Sequence, residues 1–529
     1  MYFCPFNYFI PESENMKRST FLFSLLTFSF VHFLIAQPKY EFRGVWVATV
    51  NNIDWPVGGI ADPARQKADF IRLLDMHQRN GMNAMVVQVR PAADAFYPSQ
   101  YEPWSQWLTG VQGKPPSPYY DPLQFMIEET HKRGMEFHAW LNPYRAVQTI
   151  GTSSIAANHI TRIHPEWFLT YGDKKYFDPG NKEAQKFVVN VVRDIVKRYN
   201  VDAIHMDDYF YPYRIPGKEF PDEASYRNAG SKLNKDDWRR SNVDSIIQAI
   251  SITIKQEKKL CRFGISPFSV WRNKDKDPEG SNSKAGQTNY DDLYADILLW
   301  MKKGWIDYVT PQLYREIGDD KIAYEKLLDW WSRYSYGRHI YIGHGIYRAG
   351  GKEAGWNNPN QIPDQLKLLR RYPNVQGSIY FSSKSFEKNP NGWNDSLQNN
   401  YYKYPALLPP MRWIDNEKPW PPIVERNITN DSVIQLTVTP DPRNNIEIKY
   451  YVVYQYAADS HSETFGNIPK YISRFVSLPA GFQMKESLSS EHFSYRYLIT
   501  AVGKNNNESD LSEIAILVQP GGKWSFYKP

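Results

Sequence analysis

Cysteine is almost missing. The 529 residues hold two, Cys4 and Cys261, which excludes a disulfide framework. Histidine is thin and scattered, with 11 residues and no His-x-x-x-His pair, so the chain carries no recognisable metal-ligand spacing. No metal or cofactor is expected. No Gly-rich phosphate loop follows the first strand, which counts against a dinucleotide-binding open sheet. No Gly-x-Ser-x-Gly elbow is present, which counts against a serine hydrolase of that type. Charge of one sign is lacking too. Lys and Arg total 63 against 57 Asp and Glu, for a net charge of +6. Without an extended basic run there is no footprint for a nucleic-acid partner.

Long apolar runs are limited to one, near the N-terminus. Lys17 and Arg18 follow Met16, and the stretch from Phe21 to Ala36 is almost wholly apolar. That pattern reads as a signal peptide cleaved after Ala36, with residues 1–15 as an upstream extension. The run is shorter than the ~20 residues a membrane span needs, so no integral membrane segment is expected after cleavage. The expected location is secreted, periplasmic or cell envelope. Cys4 would be lost with the leader. Cys261, at the start of a strand, reads as a small buried hydrophobe.

What the chain has in abundance is aromatic rings: 37 Tyr, 27 Phe and 17 Trp. So many Tyr and Trp supply flat faces with polar tips, suited to packing and to stacking on sugars. Short β-branched or aromatic runs recur at residues 42–48, 84–89, 136–141, 203–207, 263–266, 308–313, 340–343 and 377–381. Amphipathic segments separate them, at 63–79, 121–133, 182–199, 238–257, 290–303, 321–334 and 360–371. Asp121 before Pro122 is an N-cap followed by a first-turn proline. Eight strand-helix alternations predict an α/β fold, a (β/α)8 barrel over residues 37–411. Long insertions at about 96–120 and 209–237 follow strands two and four. They therefore belong to the C-terminal face, where such barrels keep their sites.

A Pro-rich stretch then breaks the pattern, leaving a linker at 412–422. Alternating runs at 433–438, 447–454, 494–502 and 512–518 predict a small all-β, immunoglobulin-like sandwich over 423–529. The run Tyr495 to Val502 looks like the last hairpin of a fibronectin type III domain.

Polar and aromatic residues collect at the C-terminal strand ends. Strand two ends in Gln88, Arg90 and Asp94, and strand three in Trp140, Asn142 and Tyr144. Strand four ends in Asp207, Asp208 and Tyr209, and strand five in Ser266, Phe268 and Trp271. Strand six ends in Gln312, Tyr314 and Glu316, and strand seven in His344. Asp207-Asp208 is the sharpest signal, since adjacent carboxylates after an apolar strand are costly unless paired or functional. Strand parity puts His205 and Asp207 on one face, so Asp207 is expected in the barrel mouth as nucleophile or base. Glycoside hydrolysis needs a second carboxyl group, for which Asp208, Asp94 and Glu316 are candidates. Arg90 could instead lock Asp94 as an ion pair, and Asp178 reads as a helix cap. Candidate substrate contacts are Arg43, Gln88, Arg90, Trp104, Trp140, Asn142, His205, Tyr209, Ser266, Trp271, Gln312, Tyr314 and His344.

The segments Glu41–Ala48, Gln88–Tyr97, Ala139–Arg145, Tyr176–Gly180, Asp202–Pro212 and Tyr308–Tyr314 resemble the glycosyl-hydrolase-10-like family of bacterial envelope proteins. The resemblance spans about Lys39 to Met411, and the fibronectin-like tail recurs in relatives. It implies a glycosidase of envelope or environmental polysaccharide, with peptide-free peptidoglycan glycan the leading substrate. Asp207 also resembles the strand-four aspartate nucleophile of amylase-like barrels, although Ala203 stands where their motif has Gly. Arg315 departs from the aromatic residue that often follows the Pro-Gln-x-Tyr run, which weakens a role for Glu316. The rival reading is a catalytically inactive carbohydrate-binding envelope protein. A second carboxyl group facing Asp207 across the cleft would discriminate the two.

Overall fold

The computed structural model describes residues 37–208, 210–430, 433–457, 466–478, 480–487, 495–512, 515–518 and 524–527. The expected leader, Cys4 and Tyr209 lie outside the described residues. Eight strands form a closed barrel: β1 (Phe42–Val47), β2 (Ala84–Arg90), β3 (Glu136–Leu141), β4 (Ala203–Met206), β5 (Arg262–Ile265), β6 (Tyr308–Val309), β7 (His339–His344) and β8 (Gly377–Tyr380). Each pairs in parallel with its sequence neighbours, and β1 closes the ring against β8. Strand six is shorter than its sequence pattern. Beyond Val309 and Pro311, which has no N–H to give a ladder, only Gln312 bridges to Phe268 and Gly343.

The helices follow from their caps and stripes. Asp62 caps Pro63–Arg79 by accepting from the Ala64 and Arg65 amides. Asp121 caps Pro122–Lys132 in the same way, through Gln124 N. The pattern at 290–303 splits into two helices, Asn289–Asp292 and Ile297–Lys303. Tyr294 takes a positive φ of 52° between them, and the Asp296 carboxylate starts the second by accepting from Leu299 N. Asp178 is not a cap. It accepts from Gly180 N at 2.8 Å and from the Ser225 hydroxyl, while Asn181 caps the helix Lys182–Arg198. Residues after β3 add a three-stranded antiparallel sheet of Arg145–Val147, Lys174–Phe177 and Phe168–Tyr171, which the sequence pattern did not reveal.

Strand alternation divides the core in two. Outward residues meet the helices, and inward ones fill the barrel with Phe42, Trp46, Ala84, Val86, Trp140, Tyr308, Tyr341 and Ile379. Phe42 and Tyr341 stack at 3.9 Å. Gly264 leaves room for the Tyr308 ring, into which any Cβ there would run.

The C-terminal unit is a sandwich of two three-stranded antiparallel sheets. One is Ile423–Asn430, Val433–Thr439 and Phe482–Ser487, and the other is Ile472–Val476, Ile448–Ala457 and Tyr495–Gly503. The second sheet faces the barrel base, where Tyr450, Val452 and Tyr454 pack with Leu407. Charge completes the seam. Glu136, at the N-terminal end of β3, accepts from Arg262, from Lys449 at 2.7 Å and from Asn506 at 2.9 Å. Lys39 and Tyr40 both bond Glu508.

Candidate active site

The inward parity of β3 and β4 carries Trp140, Asn142 and Asp207 to the mouth. Trp140 Nε1 donates to Asp207 Oδ2 at 3.2 Å, and Asn142 Nδ2 donates to both carboxylate oxygens at 3.2–3.3 Å. Asn142 is itself oriented, because its Oδ1 accepts the Arg145 amide at 2.8 Å. The next residue, Asp208, accepts from the Tyr213 hydroxyl, which the insertion after β4 brings in. Gln312 reaches the same carboxylate and also donates to the Ser266 carbonyl at 2.9 Å.

Both carboxyls are buried, and burial sets their proton affinity. It pushes Asp207 up to about 7, with Arg145 opposing and the Asp208 charge adding to the rise. It pushes Asp208 up to about 6, against the Tyr213 hydroxyl bond, Gln312 and Arg145. Two neighbouring carboxyls whose affinities lie near neutrality can hold and release a proton at working pH.

A polar column runs beneath them. Trp46 Nε1 donates to His205 Nε2 at 3.3 Å, which makes that nitrogen an acceptor and puts the proton on Nδ1. His205 Nδ1 meets the Tyr308 hydroxyl at 3.1 Å, which meets His138 Nδ1 at 2.9 Å. His138 Nε2 then reaches Glu136 at 3.0 Å. The column ends on the Glu136 carboxylate at the barrel base. Burial holds His205 well below its usual value, and the neighbouring His138 adds to that. It is therefore a neutral floor beside Ser266, whose hydroxyl lies 3.0 Å from Nε2. Above the floor, Tyr314 and Phe381 lie 6.0 Å apart, and Tyr347 meets both edge-on. Tyr347 is half exposed, an apolar wall on the far side of the mouth.

The remaining candidates are placed elsewhere. Arg43 lies at the N-terminal end of β1, paired with Glu41 at 2.8 Å and donating to the Tyr404 carbonyl at 2.9 Å. It therefore belongs to the base of the barrel, opposite the mouth. His344 has outward parity. Its nitrogens meet Gln365 and Ser378, and its ring stacks on Tyr380 in the helix layer. Trp271 packs 6.0 Å from Trp330 and is 5% exposed. Arg90 does not lock Asp94. It forks onto Glu102 with contacts of 2.6–3.0 Å and donates to the Asn142 and Pro143 carbonyls. Asp94 is buried and accepts from Gln112 and from Ala92 N, both at 3.2 Å. Burial raises it to about 7, against hydrogen bonds from Gln112 and Ser105. Gln88 accepts from the Thr49 and Val50 amides and so shapes the loop after β1. Glu316 packs against Gly355 of the segment after β7. Trp104 is half-buried, edge-on to the exposed Tyr119 at 6.4 Å.

Arg145, Tyr213, Trp46 and Phe381 were not among the sequence candidates. Arg145 closes the motif that carries Trp140 and Asn142, and spacing alone could have raised it. Tyr213 lies within a long insertion, where nothing local signals its target.

A family model described as glycosyl hydrolase-like 10 matches residues 41–358, which include seven of the eight barrel strands. Glycosyl hydrolase YngK of Bacillus subtilis (strain 168) is 43% identical over 506 residues, covering 93% of this chain and 97% of that one. Glycosyl hydrolase DigH of Escherichia coli (strain K12) is 37% identical over 377 residues, 66% of this chain and 85% of its own length. Among solved structures, the glycoside hydrolase domain of PgaB from Bordetella bronchiseptica aligns with a TM-score of 0.43 at 13% identity. That alignment covers 68% of this chain and 98% of that one. The matched span contains Asp207, Asp208 and the residues that hold them, and a relative of nearly equal length shares more than two-fifths of its residues. The chain belongs to the glycosyl hydrolase-like 10 family.

Proposed function

We propose that the protein is a secreted glycoside hydrolase of cell-wall or environmental polysaccharide, with peptide-free peptidoglycan glycan as the leading substrate. One observation carries the reading: Asp207 and Asp208 are buried at the mouth of a family barrel and held near neutral proton affinity. Asp207, with the higher affinity, protonates the departing glycosidic oxygen and later takes a proton from water. Asp208, fixed by Tyr213, supplies negative charge beside the anomeric carbon. Trp140, Tyr314 and Phe381 give sugar rings apolar faces. The leader from Lys17 to Ala36 supports export, and among the described residues no helix is long and apolar enough to cross a membrane. The C-terminal sandwich reads as a fibronectin-like module seated on the barrel base.

The test is glycan cleavage by the mature chain and its Asp207→Asn variant, read by mass spectrometry on glycan strands with and without stem peptides. The wild type is expected to cut peptide-free strands, and the variant to lose about 10²–10⁴-fold in rate. Equal cleavage by both would move the proton transfer to another carboxyl group. Retention on the glycan without cleavage would favour a binding protein.

A further inference from the structure

The pair at β4 raises a question of geometry. A glycosidase that works with two carboxyls normally places them on opposite sides of the scissile bond. Asp207 and Asp208 are consecutive residues at the end of one strand, so they approach a bound sugar from one side. Four other carboxylates near the strand ends are engaged by hydrogen bonds. Asp54 accepts from Ala48 N, Ser382 Oγ and Lys384 N. Asp94 is tied to Gln112 and its own loop, and Glu102 is clamped by Arg90. Asp178 is held by Gly180 and Ser225, while Glu316 lays its Cβ, Cγ and carboxyl carbon against Gly355. Among the described residues, a retaining reaction at this site then lacks an enzyme carboxylate set opposite the proton donor as nucleophile.

We propose that the substrate supplies it: the acetamido oxygen of a 2-acetamido-2-deoxy sugar attacks its own anomeric carbon, with Asp208 holding the acetamido N–H and Asp207 serving as acid and base. This rests on the glycoside hydrolase reading above. In the first step the acetamido carbonyl oxygen bonds C1 as the C1–O glycosidic bond breaks. The bonding pair leaves on the glycosidic oxygen, which takes the proton from Asp207. The positive charge falls on a five-membered oxazolinium ring whose N–H is hydrogen-bonded to the Asp208 carboxylate. In the second step a water oxygen bonds C1 and gives a proton to Asp207. The C1–O bond of the ring breaks and restores the acetamide, with the anomeric configuration retained. The site is built for both roles. Tyr213 and Gln312 fix the Asp208 carboxylate as a hydrogen-bond acceptor, and Trp140 and Asn142 fix Asp207. The substrate class is therefore glycans with an intact N-acetyl group on the sugar at the cleavage point.

The experiment compares peptide-free peptidoglycan glycan strands with the same strands chemically de-N-acetylated, using the mature chain. NMR reads the anomer of the first-formed product, and the thiazoline of N-acetylglucosamine is the inhibitor. Expected are retention, competitive inhibition by the thiazoline, and at least about a 10²-fold slower cut after de-N-acetylation, the scale of losing a positioned catalytic group. Asp208→Asn is expected to lose rate with thiazoline affinity, whereas a merely structural role would spare the inhibitor. Inversion, equal cleavage of de-N-acetylated strands, or a glycosyl adduct on an Asp or Glu would overturn the proposal and leave the glycosidase reading standing. No cleavage of any strand would overturn both this proposal and the choice of peptidoglycan glycan as substrate. The stereochemistry and inhibitor arms need no variant, so a misfolded Asp208→Asn protein does not spoil the test.

Discussion

At the scale of single residues the site is governed by burial. Asp207 pushed up to about 7 has consequences for stability as well as chemistry. A carboxyl whose folded affinity exceeds its unfolded value of about 3.9 binds more protons when folded. Its contribution is fully favourable below that value and is lost as pH rises through about 7. Asp207→Asn removes the ionisation, so it is expected to raise the thermal midpoint more at pH 8 than at pH 5, by calorimetry. Arg145 lowers both carboxyls through its charge. Arg145→Met is therefore expected to move the alkaline limb of the pH–rate profile upward, while an electrostatically neutral change would leave it in place. Parity made Asp207 and His205 readable from the chain alone. It also explains His344: the eight-strand pattern located it at a strand end, but its outward phase turns it to Gln365 and Ser378.

At the scale of elements, the loops after β2 and β3 are tied by one buried cation. Arg90 and Glu102 have no exposed side-chain surface, and Arg90 also holds the Asn142 carbonyl. Removing one member of such a pair leaves a buried charge and costs about 3–5 kcal/mol. Glu102→Ala is expected to lower stability on that scale in denaturant unfolding. It is also expected to reduce rate, because Asn142 positions Asp207. Gly264→Ala tests the barrel interior. A methyl group there meets Tyr308, so overpacking of about 1–3 kcal/mol is expected from denaturant melts. The strands and helices were largely legible, since alternation and caps are local signals. Arg90's partner was not. Asp94 is four residues away and Glu102 twelve, and only the folded loop brings the second within reach.

At the scale of the whole molecule, the sandwich is the floor of the barrel. Burial alone would raise Glu136, but the charges of Arg262 and then Lys449 hold it well below its usual range. Such a depressed carboxyl contributes stability above its unfolded value and loses it as pH falls. Lys449→Met is expected to lower the melting temperature at pH 7, with the gap to wild type closing on acidification below about 4. The polar column from Glu136 through His138 and Tyr308 to His205 then joins the seam between units to the floor of the mouth.

The barrel, its eight strands, the all-β tail and the pair at 207–208 could be read directly from the chain. They depend on periodicity, turn chemistry and strand phase, all of which act over a few residues. Which carboxyl pairs with which arginine, which loop delivers Tyr213, and which face of the barrel the sandwich closes required the folded molecule. Each joins side chains tens to hundreds of residues apart, and burial and charge choose among such partners only once the chain has closed around them.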